Sequence, residues 1–202
     1  MFERPNMTES SHPASVCVFC GSSNAADPAY LTAAATFGRI LAAEHIRLVY
    51  GGGGVGLMGA CAKAAHGAGG QVLGVIPDFL QRREVVYEAV ETIVVPNMHE
   101  RKRRMFEESD AFVILPGGVG TLEEVIELMS WRRLALHAKP IVFFDQGGYW
   151  RPLFDLIAHT VEHRLTPAEF LDTWRVAQRV EDILPQVRAM AAEVVKPISL
   201  LT

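Results

Sequence analysis

Two short stretches of this chain carry side chains whose chemistry would work only in combination. One is LPGGVGTLEEV, residues 115–125, where three glycines follow an apolar run and Glu123 and Glu124 come almost at once. Consecutive backbone N–H groups at a helix start make an anion site, and Thr121 adds a hydroxyl donor. Phosphate suits such a turn, but carboxylates repel phosphate, so the two glutamates must serve some other atom. The turn is not a Walker A loop, because the Lys-Ser/Thr pair is missing. A plainer reading is conformational. Glycine makes the turn, and Thr121-Leu-Glu-Glu124 is a capping box in which Glu124 bonds back to its own helix start while Glu123 faces solvent near the positive helix end.

The second stretch is MHERKRRMF, residues 98–106. On a helix, Met98, Met105 and Ser109 form one stripe, with Arg101 on one side of it and Lys102 on the other. Arg103 and Arg104 point away, as a solvated face would. Two cations bordering an apolar stripe suit contact with a ligand or a carboxylate. A third stretch, GGGGVGLMG (51–59), matches G-x-G-x-x-G through Gly51, Gly53 and Gly56. It reads as a dinucleotide site, as tight helix–strand packing, or as the wall of another nucleotide site. The dinucleotide reading is the weakest, since the motif follows the second strand and the next strand ends in VIPD, with Pro77 before the nearest acid. Gly52 and Gly53, with Ser22 in GSSN (21–24), are expected on the substrate side of that wall.

A nucleoside monophosphate has three parts that these pieces match. Its phosphate fits the glycine turn, its base can rest on apolar side chains such as Met98, and its ribose hydroxyls are donors to a carboxylate. Cleaving the bond from ribose to base builds positive charge on the sugar, and an anion held beneath it stabilises that transition state.

Positioning these groups requires elements from one end of the chain to the other. Apolar runs at 15–20, 46–50, 71–76, 91–95, 111–115, 140–144 and 174–178 read as strands. Between and after them, helices are predicted over 27–45 (Asp27 as N-cap, Pro28 at N1), 56–67, 98–109, 121–137, 151–163 and 180–193, with a long charged loop over 77–89. Strands alternating with single helices mean a Rossmann-like α/β fold, one doubly wound parallel sheet in a single domain over 15–195. Residues 1–14 read as a disordered leader and 196–202 as a tail. Ligands of such sheets bind beyond the carboxyl ends of the strands, where the glycine turns, GSSN and MHERK all fall.

Composition narrows the function classes. A length of 202 residues allows one domain with a large core. A hydrophobic share of 50% with 21% charged residues describes a globular chain. The net charge of -4 offers no pull towards nucleic acid or an acidic membrane. No apolar run reaches the roughly 18 residues of a membrane span, and MFERPNMTESSHPA lacks the apolar region of a secretory signal, so a cytoplasmic location is expected. CVFC (17–20) matches C-x-x-C, but on a strand its ends face opposite sides of the sheet, which favours packed core cysteines over redox or metal chemistry.

Taken together, VYGGGGVGLMG, MHERK, PGGVGTLEE and WRRLALHAKP resemble the LOG family, cytokinin-activating phosphoribohydrolases once described as lysine decarboxylases. The resemblance, from about Val16 to Phe170, implies a Rossmann-like homodimer or assembly of dimers with active sites near the subunit interface. It implies hydrolysis of N6-modified AMP to free base and ribose 5-phosphate, with no metal and no redox cofactor. By match to the family motifs, Arg101 and Glu124 are the catalytic pair. A guanidinium within about 4–6 Å lowers a carboxylate pKa by about 1–3 units, so on this resemblance Arg101 is expected to keep Glu124 charged at neutral pH. Lys102 and the turn Gly117, Gly118, Val119, Gly120, Thr121, Leu122 and Glu123 contact substrate, and Glu84 matches the glutamate of a P-R-E element. Arg133 stands where the family's W-x-Q-L has Gln, and GYW (148–150) where it has G-Y-Y; both bear on base preference. The lysines, Lys63, Lys102, Lys139 and Lys196, show no pyridoxal-phosphate setting. Rival readings are a non-catalytic nucleotide or molybdenum-cofactor carrier, which would release no base, and an NAD-dependent dehydrogenase.

Overall fold

Seven apolar runs become strands: β1 (Ser15–Phe19), β2 (Arg47–Tyr50), β3 (Val72–Pro77), β4 (Glu91–Val95), β5 (Ala111–Ile114), β6 (Ile141–Phe144) and β7 (Arg175–Ala177). They form one sheet in the order β4-β3-β2-β1-β5-β6-β7 with every pairing parallel. The computed structural model describes residues 12–82 and 85–193. Most of the expected leader, the 196–202 tail and Glu84 lie outside those residues.

Parallel strands cannot be joined by tight hairpins, so each crossover carries a helix and both sheet faces are covered. The helices are α1 (Pro28–Ala43), α2 (Gly56–Gly67), α3 (Asp78–Gln81), α4 (Met98–Glu107), α5 (Val119–Arg133), α6 (Arg151–Glu162) and α7 (Ile183–Ala192). α1, α2 and α7 bury Phe37, Leu41, Cys61 and Val187 against one face, on Val16, Leu48 and Val113. α4, α5 and α6 bury Met105, Val125, Leu128 and Ile157 against the other, on Val49, Phe112 and Phe143. The centre of the sheet is dry on both sides: β1, β5 and β6 are buried along their whole length.

Cys20 lies just past the end of β1, yet the C-x-x-C pair still divides between the two faces of the sheet. Cys17 packs on the α4–α5–α6 side and Cys20 on the α1–α2–α7 side. Burial pushes both thiols well above their ordinary range, which leaves them inert packing groups. Asp27 caps α1, its side chain accepting from Ala29 N at 2.8 Å with Pro28 at the first helical position.

Several boundaries differ from expectation, most of all in the 77–89 loop and at both ends of α5. The 77–89 loop contains a short helix, α3, and then folds back so that Val86 bridges Gly53. α5 starts at Val119 rather than Thr121 and ends at Arg133 rather than 137. Gly118 is the residue outside the helix, so Thr121 already lies in the first turn. At the far end the chain leaves the helix at Leu134, and Ala135 takes a left-handed φ of 55°.

The strand order reverses between β1 and β5, the place where such sheets open a crevice. The loops beyond these strands touch, with Gly21 N donating to Pro116 O at 3.0 Å. No described helix is long and apolar enough to cross a membrane.

α1 and α2 approach so closely that a Cβ on Gly38 would strike the carbonyl oxygen of Cys61. Gly38→Ala should therefore destabilise the fold by about 1–3 kcal/mol through overpacking, despite the better helix propensity of alanine. Urea denaturation of both proteins measures the difference.

Candidate active site

Arg101 lies in the first turn of α4, whose start is fixed by Asn97, the N-cap residue accepting from Glu100 N at 2.9 Å. That placement turns Arg101 inward beneath the sheet rim, where it is 8% exposed. Its Nη2 donates to Gly51 O at 3.3 Å and stands 3.7 Å from Oε1 of Glu124, itself 9% exposed. Nη1 approaches Met98 Sδ at 3.8 Å, and Nε has no acceptor among the described residues. Residues from beyond β2, β4 and β5 thus meet in one buried group. Gly51 is required here for space, since a Cβ at that position would collide with the guanidinium.

Glu124 does not form the capping box that its spacing allows. It points to Arg101, no side chain caps α5, and Glu124 forms no bond back to the helix start. Its charge state also departs from the expectation. Burial is the dominant influence and outweighs the opposing pull of Arg101 and Lys102, with Glu123 adding to the rise, so the carboxyl is pushed up to about 7. At 3.7 Å, through one nitrogen, the guanidinium is not close enough to restore the lost hydration. A folded-state pKa above the ordinary 4.5 has a definite linkage sign. The contribution of Glu124 to stability is complete below about 4.5 and is lost as pH rises through about 7.

Lys102 lies beside this pair and bonds Glu123 and, at 2.8 Å, Glu127. Burial pulls its pKa down, but the two carboxylates outweigh that and raise it. Lys102 and Glu123, both expected at the substrate, are therefore paired with each other. Glu127 was not anticipated, although it lies one helical turn beyond Glu123 and three residues beyond Glu124, a spacing that the sequence displays.

The turn before α5 is open where a ligand would need it. Gly118, Val119 and Gly120 are exposed, and a Cβ on Gly118 or Gly120 would meet nothing within 4 Å. Packing does not explain those two glycines. The amides of Val119, Gly120 and Thr121 find no acceptor among the described residues. Gly117 is different, since a Cβ there would collide with Thr121 Oγ1, and its carbonyl accepts from Tyr149 Oη at 2.7 Å. Tyr149, read in the sequence only as part of GYW, buttresses this turn from beyond β6, a contact that the spacing does not reveal. Trp150 beside it is 2% exposed, packed in the core. Arg133 sits half-buried in the last turn of α5.

The turn after β2 behaves in the opposite way. Gly56 N donates to Asn24 Oδ1 at 2.9 Å, and Leu57 N and Met58 N to Gly21 O at 3.0 and 3.3 Å. The amides that a dinucleotide fingerprint would offer to pyrophosphate are already bonded. A Cβ on Gly56 would strike the backbone of Ser22, so that glycine serves the approach of the GSSN loop. Gly52 O accepts from Tyr87 N at 3.4 Å, and Gly54 N donates to Val85 O at 2.6 Å. Gly52 and Gly53 are thereby covered by the returning loop, while Ser22 stays exposed on the rim and Met98 is half-buried.

A family model described as possible lysine decarboxylase matches residues 58–187. A rice protein (Oryza sativa subsp. japonica) described as a probable cytokinin riboside 5'-monophosphate phosphoribohydrolase is 49% identical over 148 residues, 73% of this chain and 61% of its own length. A cytokinin riboside 5'-monophosphate phosphoribohydrolase of Arabidopsis thaliana is 46% identical over 148 residues, 73% of this chain and 68% of its own length. The chain thus spans about two thirds of these relatives. Among solved structures, the molybdenum cofactor carrier protein of Chlamydomonas reinhardtii shares the fold, with a TM-score of 0.68 at 22% identity over 89% of this chain and 98% of that one.

Carboxyl-carbon NMR of glutamate-labelled protein should show one group titrating near pH 7, absent in Glu124→Gln. Arg101→Gln should move that midpoint upward, because the cation opposes the effect of burial. A Glu124 midpoint near 4.5 would contradict the dominance of desolvation.

Proposed function

Because this chain belongs to the LOG family, we propose that it is a phosphoribohydrolase, using water to split base from ribose in a nucleoside 5'-monophosphate. The products are free base and ribose 5-phosphate. The relatives named for cytokinin riboside 5'-monophosphates support N6-modified AMP as the substrate class. The observation that carries the reading is the buried Arg101–Glu124 pair beside an open helix start.

In this mechanism the free amides of Val119, Gly120 and Thr121 bind the 5'-phosphate. Glu124 lies beneath the sugar, where its negative charge grows more valuable as the anomeric carbon becomes cationic. It also accepts a proton from the attacking water as oxygen bonds to that carbon and the bond to the base breaks. The departing base takes up a proton, so the sum is water divided between sugar and base. A carboxyl near 7 suits both acceptance and return of a proton at neutral pH. Arg101 fixes the orientation of Glu124, and its unpartnered Nε is a donor available to a ligand oxygen. Ser22 and Met98 stand on the same rim, and Lys102 with Glu123 would exchange partners when ribose hydroxyls arrive.

The outer face of α5 supports a homodimer. Val119 is 83% and Ile126 45% exposed, and with Leu122 and Glu123 they line an open groove of about 500 Å³ next to the active-site helix start. Three free buried cysteines and a nucleotide substrate fit the cytoplasm. The decarboxylase description gains no support from the described lysines. Lys63 bonds Gly54 O, Lys139 bonds Phe106 O, and Lys102 is held by two carboxylates.

Purified protein incubated with AMP, isopentenyl-AMP and the corresponding nucleosides should release free base from a monophosphate, detected by chromatography. The nucleosides should lose kcat as well as affinity, because binding energy at the phosphate is used at the sugar. Glu124→Gln should lower kcat by about 10²–10⁴. Tight binding without base release would favour the carrier reading. Ile126→Asp should shift the protein from dimer to monomer in sedimentation while leaving its helical circular dichroism intact.

A further inference from the structure

Near the C-terminal end of α6 the sequence reads HTVEH, residues 159–163. His159 and His163 are one helical turn apart, and Glu162 lies on the same flank of the helix. All three are exposed, and one donor atom from each lies within 4.8 Å of the other two. The imidazole rings are already close, with centroids 4.1 Å apart. The Glu162 carboxylate forms no hydrogen bond or ion pair with another described residue.

The hydrogen bonding prepares one ring for a ligand. His163 Nδ1 stands 3.0 Å from the carbonyl oxygen of His159. A carbonyl can only accept, so Nδ1 carries the proton and Nε2 of the neutral ring keeps its lone pair. This is the arrangement found at histidine metal ligands, where a backbone carbonyl holds the second nitrogen and fixes the ring. The negative end of the helix dipole adds to the preference for a cation. Ligands at about 2.0–2.1 Å from a tetrahedral ion stand about 3.4 Å apart, and exposed side chains are free to close the remaining gap.

We propose that His159, Glu162 and His163 form a binding site for a borderline divalent cation of the zinc, copper or nickel type, separate from the Arg101–Glu124 centre. Two imidazoles and one carboxylate select these ions over magnesium or calcium, which prefer all-oxygen shells. The remaining position is open to water. The H-x-x-E-H pattern also occurs on the helices of certain zinc peptidases. Here the three side chains lie on an open helix end rather than in a cleft, so the site binds and does not hydrolyse.

The test is calorimetric titration of the full chain with zinc chloride, alongside the variants His163→Ala and His159→Ala/His163→Ala. The native protein should take up one equivalent of zinc and melt at a higher temperature with it. His163→Ala should bind at least about tenfold more weakly, since even outer partners of metal ligands contribute that much. The double variant should lose the site while its circular dichroism and base-releasing activity remain. Equal zinc binding by the native protein and the double variant, or no uptake by the native protein, would overturn the proposal.

Discussion

The site depends on one buried cation. Arg101 is enclosed where a guanidinium should be expensive to place, and it is tolerated because its donors meet the Gly51 carbonyl and the Glu124 carboxyl. Each of those partners constrains a different part of the molecule. Gly51 must lack a side chain, which fixes the residue at the end of β2. Glu124 must face the sheet rim from α5, which sets the rotation of that helix about its axis. Desolvation then sets the chemistry. A carboxylate removed from water, with a cation near but not in tight contact, is left able to exchange a proton near neutrality.

The fold turns this local arrangement into a cleft. Reversal of strand order between β1 and β5 brings two loops together, closed by the bond from Gly21 to Pro116. The segments beyond β2 and β4 flank that point, so four distant stretches of sequence share one rim. Tyr149 braces the glycine turn from beyond β6. The glycine turn before α5 and the Arg101–Glu124 pair are thus held by different elements.

Most of the architecture was legible because it rests on local signals. Apolar runs of four to six residues, Pro28 after Asp27 and the glycine turns each report a nearby physical requirement. Helical spacing also singled out Arg101 and Lys102 as cations bordering an apolar stripe, whereas the pairing of Arg101 with Glu124 came from the family resemblance and not from spacing. What the sequence concealed was the outcome of competition. Thr121-x-x-Glu124 fits a capping box, but the helix begins earlier and Glu124 is drawn to a cation that is distant in sequence. The charge of Glu124 was misjudged for a related reason: the proximity of Arg101 could be inferred, whereas the extent of burial is a property of the packed whole. Glu127 was readable in principle from its place one turn beyond Glu123. Tyr149 was not, because its partner lies 32 residues away across a strand.

The two glycine turns look alike in sequence and have opposite fates. At the start of α2, the Gly21 carbonyl and Asn24 occupy the positions that phosphate oxygens would take, so the chain acts there as its own ligand. An anion could reach those amides only by displacing part of the β1–α1 connection. Of two glycine turns that look interchangeable in sequence, only the one before α5 therefore keeps its amides unspent among the described residues.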